Sequence, residues 1–444
     1  MRWWTAALLL LALTLSGQDK ARQDLKKRAG ELRGKLEQAT DLKFKSEVGV
    51  GVYSKEELKG FLLKELATNL TKRKARAWEK IGYKFGFFPR DFDLVKSYVE
   101  MMTDSIAGFY HPRSKELKLV KDPGEAKPEE KQMERMLGVK MADVYLYHEL
   151  FHSLQDQCYG GLNGLKSSDD RNDDRIMGVD SVIEGEACYM HFNYMFKEQY
   201  NLIKGMVGQE QADPPKPHYP RYLYKTLTFP YTIGFLFVDK CIQEKKWKTA
   251  ATMFSDPPLS SEQVLHPDKY LKERDYPTLI TMRFARINEA VGEGWKRLDD
   301  NVHGEYTIRL MFEEQDLRKR GPKAAAGWDG DRFTVYERPG DGRLLLIWAT
   351  TWDDEDEAKE FQEAYLELLG KKYGVLTPQG GADGRSLYRT KDQGVVALER
   401  KGADLLIIEG TDDAPAAEKL LPEVWKNLKK EELREWKKPV MNYM

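Results

Sequence analysis

A chain of 444 residues is long enough for two or three domains, each with its own core. Its 71 basic and 72 acidic side chains nearly cancel, so bulk charge gives no case for binding nucleic acid or an anionic membrane. Charged residues at 32% and apolar residues at 41% fit a soluble globular protein, and three cysteines (Cys158, Cys188 and Cys241) exclude any disulfide framework beyond a single bridge.

The chain begins MRWWTAALLLLALTLSGQDK, with one positive charge at Arg2, an uncharged apolar run to Leu15, then the small residues Ser16 and Gly17. That order predicts a signal peptide over residues 1–17. The run of about 13 apolar residues falls short of the roughly 20 that span a bilayer. No cysteine stands near the cleavage region to take a lipid. The expected location is secreted or periplasmic, with no membrane span once the signal is removed.

Residues 18–47 are rich in charge, with Leu25, Leu32 and Leu36 at helical spacing, which predicts a solvated helix docked by one thin stripe. VGVGVYSKEELKGFLLKEL predicts a short strand and then a helix, with Ser54 and Glu57 forming a capping box. A helix is expected over about 91–106, followed by a hairpin in which AGFY and ELKLV flank HPRSK. PGEAKPEEKQ reads as a polar loop, and the next helix, from near Ala142, carries YHELFHSLQDQ. The Gly-, Asp- and Ser-rich stretch 160–175 reads as an exposed loop, with another helix starting near Asp180. Helical and loop segments continue past the break ADPPKPHYP to about Arg320. GPKAAAGWDGD marks a boundary. Beyond it RFTVYER, RLLLIWATTW, GVVALER and DLLIIEG read as strands, mixed with two helices in DEDEAKEFQEAYLELLGKKYG and APAAEKLLPEVWKNLKK. The expected fold is α+β. A mainly helical domain over 48–322 carries a small N-terminal sheet or hairpin, and a small α+β module over 330–444 contains neither histidine nor cysteine.

The chemistry gathers at residues 147–157. Residues four apart on an α-helix are offset by about 40° and one turn, so His148 and His152 point from one face and can converge on one ion. Glu149 can reach a water on that ion. Zinc polarises the water and a substrate carbonyl, and a glutamate so placed takes the proton during attack. Val144, Leu146, Leu150, Phe151 and Leu154 surround this polar triplet, and a buried unpaired histidine pair beside a glutamate would be costly without a metal. A catalytic zinc takes three protein ligands and keeps one open position. Downstream, DSVIEGEACYM holds Glu184 and Glu186, about 200° apart round a helix, so the two cannot share a face.

Together these segments resemble the gluzincin zinc metallopeptidases, in which an H-E-x-x-H helix is completed by a glutamate from a later helix, often within E-G-x-A. Aminopeptidase-N-like and thermolysin-like enzymes are the reference cases. The resemblance implies a zincin-like domain with Glu184 as third ligand, Gly185 packing closely against the motif helix and Ala187 keeping that face small. The gap from His152 to Glu184 is longer than in those families. LTFPYTIGFLFVDKC resembles the P-Y-x-x-G helix start of aminopeptidase-N-like enzymes, which implies Tyr231 as the hydrogen-bond donor to the oxyanion, although Ile233 stands where that family has a lysine. AGFYHPRSKELKLV, HELFHSLQDQ, IEGEA, FPY..G and SSEQVLHPDKY also resemble a group of secreted bacterial proteins with an H-E-L-x-H-x-L-Q-D-Q motif. That likeness covers about residues 50–320.

Other residues have two readings each. His266, in SSEQVLHPDKY with Tyr270, either assists the oxyanion, as a histidine does in thermolysin-like enzymes, or fills a turn. Asp156 either orients a ligand histidine or faces solvent. His191 either lines a cleft or is a satisfied buried side chain. The 108–120 hairpin offers an edge strand for an extended peptide. The function expected is an exported zinc peptidase acting on peptides or proteins. It holds one zinc per chain on His148, His152 and Glu184, with Glu149 as general base and Tyr231 as oxyanion donor. The alternatives are a non-catalytic zinc-containing envelope or binding protein that works through its C-terminal module, and a zinc hydrolase of non-peptide amides or esters.

Overall fold

The computed structural model describes residues 18–105, 108–120, 131–132, 134–135, 138–162, 171–208, 213–382 and 384–433. The expected signal peptide, most of the polar loop after the hairpin and the middle of the 160–175 loop lie outside them. The described chain is α+β, as the sequence predicts.

Helix α1 (Gln18–Thr40) buries Ala29, Leu32 and Leu36, the stripe anticipated from leucine spacing. Strand β1 (Gly49–Tyr53) leads into α2 (Lys55–Asn69), whose start carries the predicted capping box: Glu57 N–H donates to Ser54 Oγ, and Ser54 N–H to the Glu57 carboxylate. Helices α3 (Lys72–Phe85) and α4 (Leu94–Ser105) precede the hairpin of β2 (Gly108–His111) and β3 (Glu116–Val120). Strand β3 is central in a three-stranded sheet, parallel to β1 and antiparallel to β2, so β2 is an edge.

The motif helix α5 spans Met141–Cys158. Helix α6 (Asp173–Met195) begins well before the Asp180 expected, because Asn172 caps it by accepting from Arg175 N–H at 2.9 Å. The acidic residues Asp173 and Asp174 fall in its first turn, where the helix dipole favours them. After α7 (Tyr200–Val207) comes α8 (Arg221–Lys245). Pro230 sits inside α8, so the FPYTIG segment is helix interior and not the helix start that the resemblance implied.

The remaining elements are α9 (Ser261–Leu265), α10 (Asp268–Leu271), β4 (Thr278–Met282), α11 (Phe284–Val291), β5 (Lys296–Asn301), α12 (Gly304–Glu314), α13 (Gly321–Ala325), β6 (Trp328–Arg338), β7 (Arg343–Trp352), α14 (Glu355–Tyr373), β8 (Thr377–Ala382), β9 (Arg385–Arg389), β10 (Val395–Lys401), β11 (Asp404–Thr411), α15 (Ala414–Lys426) and β12 (Leu428–Glu432). Seven strands form one antiparallel sheet in the order β5-β6-β7-β11-β10-β9-β8, and β12 pairs with β4. Strands β4 and β5 stand before the expected boundary at 322–330 and are hydrogen-bonded to strands after it.

The apolar runs in β7 and β11 follow from burial of both sheet faces. Leu344, Leu346 and Trp348 turn toward α2–α4 and α14, while Leu345, Ile347 and Ala349 turn toward α11 and α15. A second core joins α1, α5, α6 and α8 through Leu32, Leu36, Leu146, Leu150, Val182 and Val238. Arg28 of α1 also donates two hydrogen bonds to Asp143 of α5, at 2.8 and 2.6 Å. Helix α1 therefore braces the motif helix from the side away from its histidines. Leu36 is fully buried there, so Leu36→Ala should cost on the order of 2–5 kcal/mol in urea unfolding.

Candidate metal centre

Helices α5 and α6 bring the predicted ligands together. His148 Nε2 lies 3.0 Å from His152 Nε2, and Glu184 Oε2 lies 3.3 Å from the first and 3.0 Å from the second. All three side chains are buried. For zinc–ligand bonds of about 2.0–2.1 Å, tetrahedral geometry separates neighbouring donors by about 3.3–3.4 Å. Two imidazoles and a carboxylate, converging on one point at near that separation and shielded from water, are a donor set that fits a divalent ion.

The electrostatics favour a positive charge at the same point. Burial alone would raise Glu184, but His152 and His148 hold it well below the usual carboxylate range. Burial lowers His148. It also opposes the charge on His152, yet Glu184, with Glu149 and Gln155, carries that histidine up to about 9. Glu149 is itself buried, and burial pushes it up to about 7.

Both histidines meet a partner on the ring nitrogen that faces away from Glu184. His152 Nδ1 lies 2.8 Å from Gln155 Oε1, and the Gln155 amide donates to the Ile183 carbonyl and to Glu186. Glu186 also accepts from Ala250 N–H and Tyr159, so the competitor for the ligand role ends one layer further out. Orientation of His152 thus falls to Gln155 and not to Asp156. Asp156 is buried, accepting from the Tyr110 hydroxyl, Leu162 N–H and Lys115. His148 Nδ1 meets His191 Nδ1 at 3.1 Å. Sequence reasoning missed the role of Gln155. Its position three residues after His152 on the same helix was the available signal.

Glu149 Oε2 accepts from Tyr110 N–H of β2 at 2.6 Å, so the hairpin touches the site through its outer edge. The Tyr231 ring lies 6.0 Å from that of His148, nearly parallel at 26°. His266 is placed elsewhere, beside Glu305 and Arg309, and the Tyr270 hydroxyl donates to the Asp256 carbonyl. The acidic trio Glu262, Asp275 and Asp353 surrounds the Lys269 ammonium, which already supplies its cation. Cys158, Cys188 and Cys241 are free thiols.

The close fit of Gly185 is real, but its neighbour is α8 and not the motif helix. A Cβ on Gly185 would stand 2.4 Å from the Gly234 carbonyl oxygen, and one on Gly234 would stand 2.9 Å from Ser181 Cα. Backbone there meets backbone, beside one ligand and three residues from Tyr231. Gly185→Ala should lower stability by about 1–3 kcal/mol in denaturant unfolding, and any metal ion held with the help of Glu184 should be bound more weakly as that side chain is displaced.

Among the described residues no helix is long and apolar enough to cross a membrane. A family described as "Domain of unknown function (DUF8575)" matches residues 290–420, a span that contains none of His148, Glu149, His152 or Glu184. No curated protein matches the chain. A crystal structure of a candidate hydrolase with a novel fold from Chloroflexus aurantiacus is similar at 15% identity and a TM-score of 0.37, over 57% of this chain and 90% of that one, a likeness too slight to transfer fold or chemistry. What the chain itself carries is a set of buried histidine, glutamate and cysteine groups able to hold a metal ion.

Proposed function

We propose that this chain is an exported zinc-dependent peptidase of gluzincin type. The observation that carries the reading is the convergence of His148 Nε2, His152 Nε2 and Glu184 Oε2 within 3.0–3.3 Å, with the buried carboxylate of Glu149 beside them. When bound, zinc supplies a Lewis acid that polarises a carbonyl and acidifies water. The two histidines and Glu184 hold it. Glu149 takes the proton from the attacking water and passes it to the leaving amine. The Tyr110 amide fixes one oxygen of that carboxylate, and the other carries the proton. Tyr231, lying on His148, is the donor to the developing oxyanion, a role commonly worth a few kcal/mol of barrier. Export rests on the residue pattern at 1–17.

The test is a peptide-library digest with zinc quantified in the same preparations. About one zinc per chain with peptide cleavage supports the reading. Well under one zinc per chain sinks it. Zinc at full occupancy with turnover only of simple amides or esters would redirect it to a non-peptide hydrolase.

A further inference from the structure

Two ring nitrogens in contact need one proton between them. His148 Nδ1 and His191 Nδ1 are 3.1 Å apart, both rings are buried, and His148 turns its other nitrogen toward His152 and Glu184. If Nε2 of His148 offers its lone pair to an ion, the neutral ring carries its proton on Nδ1. The contact is then an Nδ1–H donated by His148 to a lone pair on His191 Nδ1, and His191 carries its own proton on Nε2.

The arrangement has competitors on the same helix. The Ala187 carbonyl, one turn back, faces the His191 ring and is an alternative acceptor for its proton. Cys188 stands with a donor atom within 4.8 Å of His148 and His191 donors, a second soft ligand set that shares His148. Which arrangement holds depends on the nitrogen of His148 that faces the ion. The convergence of three donors on its Nε2 side, one of them a carboxylate, favours that side.

We propose that His191 is a positioning residue for the first zinc ligand, a neutral imidazole that accepts the Nδ1 proton of His148 and so fixes the tautomer and ring angle that present Nε2. This rests on the metal reading given under Proposed function. Ligand histidines ordinarily donate their outer N–H to a carboxylate, a carbonyl or water, and loss of such a partner weakens metal binding 10–100-fold. A histidine acceptor performs that task without adding another negative charge beside Glu184 and Glu149.

The test titrates zinc against a competing chelator in the metal-free full chain, comparing the unsubstituted protein with His191→Phe and His191→Asn. Phenylalanine keeps the ring and removes the acceptor, and zinc affinity should fall about 10–100-fold. Asparagine sets an amide oxygen near the place of Nδ1 and should recover most of the loss. In the zinc-loaded unsubstituted protein, long-range proton–nitrogen spectra of its seven histidines should show His148 protonated on Nδ1 and His191 on Nε2. Those spectra decide the matter even if a variant fails to fold. Unchanged affinity in folded His191→Phe overturns the proposal and leaves the metal reading standing. So does His191 protonated on Nδ1 toward Ala187, or a thiolate charge-transfer band in the cobalt-substituted protein. An unsubstituted protein that binds no zinc overturns both.

Discussion

If the chain is the zinc peptidase proposed above, Glu149→Gln should cut hydrolysis by about 10²–10⁴-fold while leaving zinc in place. Glutamine matches the size of glutamate and its amide oxygen can still accept from Tyr110 N–H, so the hairpin and the motif helix keep their contact. Glu149 is not among the three converging donors, and metal content should stay near that of the parent. What goes is the proton acceptor, and loss of a positioned general base commonly costs 10²–10⁴-fold in rate. The informative measurement is kcat with zinc assayed in the same sample. Cleavage surviving at the parental rate in the zinc-loaded variant would remove Glu149 from the chemistry.

The second large effect lies far from the histidines. Glu409 of β11 is fully buried and accepts from Lys372, Tyr373 and Tyr365, with the Lys84 ammonium 3.7 Å away. Burial alone would raise its pKa, but Lys372 and Lys84 outweigh that and hold it at about 2. Lys84 belongs to α3, so one carboxylate ties the N-terminal helices to the C-terminal sheet. Burial, with the Lys372 ammonium nearby, outweighs Glu409 and depresses Lys84 to about 8. Glu409→Ala leaves both cations buried without it and should cost about 3–5 kcal/mol in denaturant unfolding at neutral pH. The pH dependence follows from the sign of the shift. A carboxylate depressed on folding gives stability that is complete above its ordinary value near 4.5 and is lost as pH falls toward 2. The parent should therefore weaken over that window by roughly 3 kcal/mol, and the variant should lack that part of its acid limb. Equal acid sensitivity in both proteins would count against the depressed carboxylate.

How far the sequence could be read depended on whether a local signal matched the force that decided each element. The motif helix, the 108–120 hairpin and the Ser54 cap were legible because periodicity, turn residues and side-chain capping act within a few residues. Strand β5, KRLDDN, has no alternating apolar pattern. It is an edge strand whose place comes from pairing with β6. Strand β8, TPQGGA, is likewise a poor strand by composition, ordered by its partner β9. Residues 428–430 read as the end of a helix, yet pairing with β4 makes Leu428–Glu432 a strand. At the site, the spacing of His148 and His152 was visible, but the outer partners were not. Gln155 and Asp156 are adjacent letters, and only the packing of α6 and of the hairpin decides which one reaches His152. Gly185 was readable as a close approach but not as an approach to α8, because helix phase turns it away from the direction of Glu184.

The pairing of β4 with β12 also governs the order in which the molecule can be made. Strand β12 lies near the end of the described chain, and the core that holds α2–α4 is completed by β6, β7, β10 and β11. Those helices complete their core only after some 300 further residues have been synthesised, a long-range closure that slows folding, whereas the core around the motif helix draws on residues 29–310 alone. The helices that carry His148, His152 and Glu184 can therefore pack before the C-terminal sheet is made, while α2–α4 wait for it. Translation stopped before β10 would leave β7 with one edge unpaired, its partner β11 being absent, and such a fragment should need a chaperone where the full chain does not.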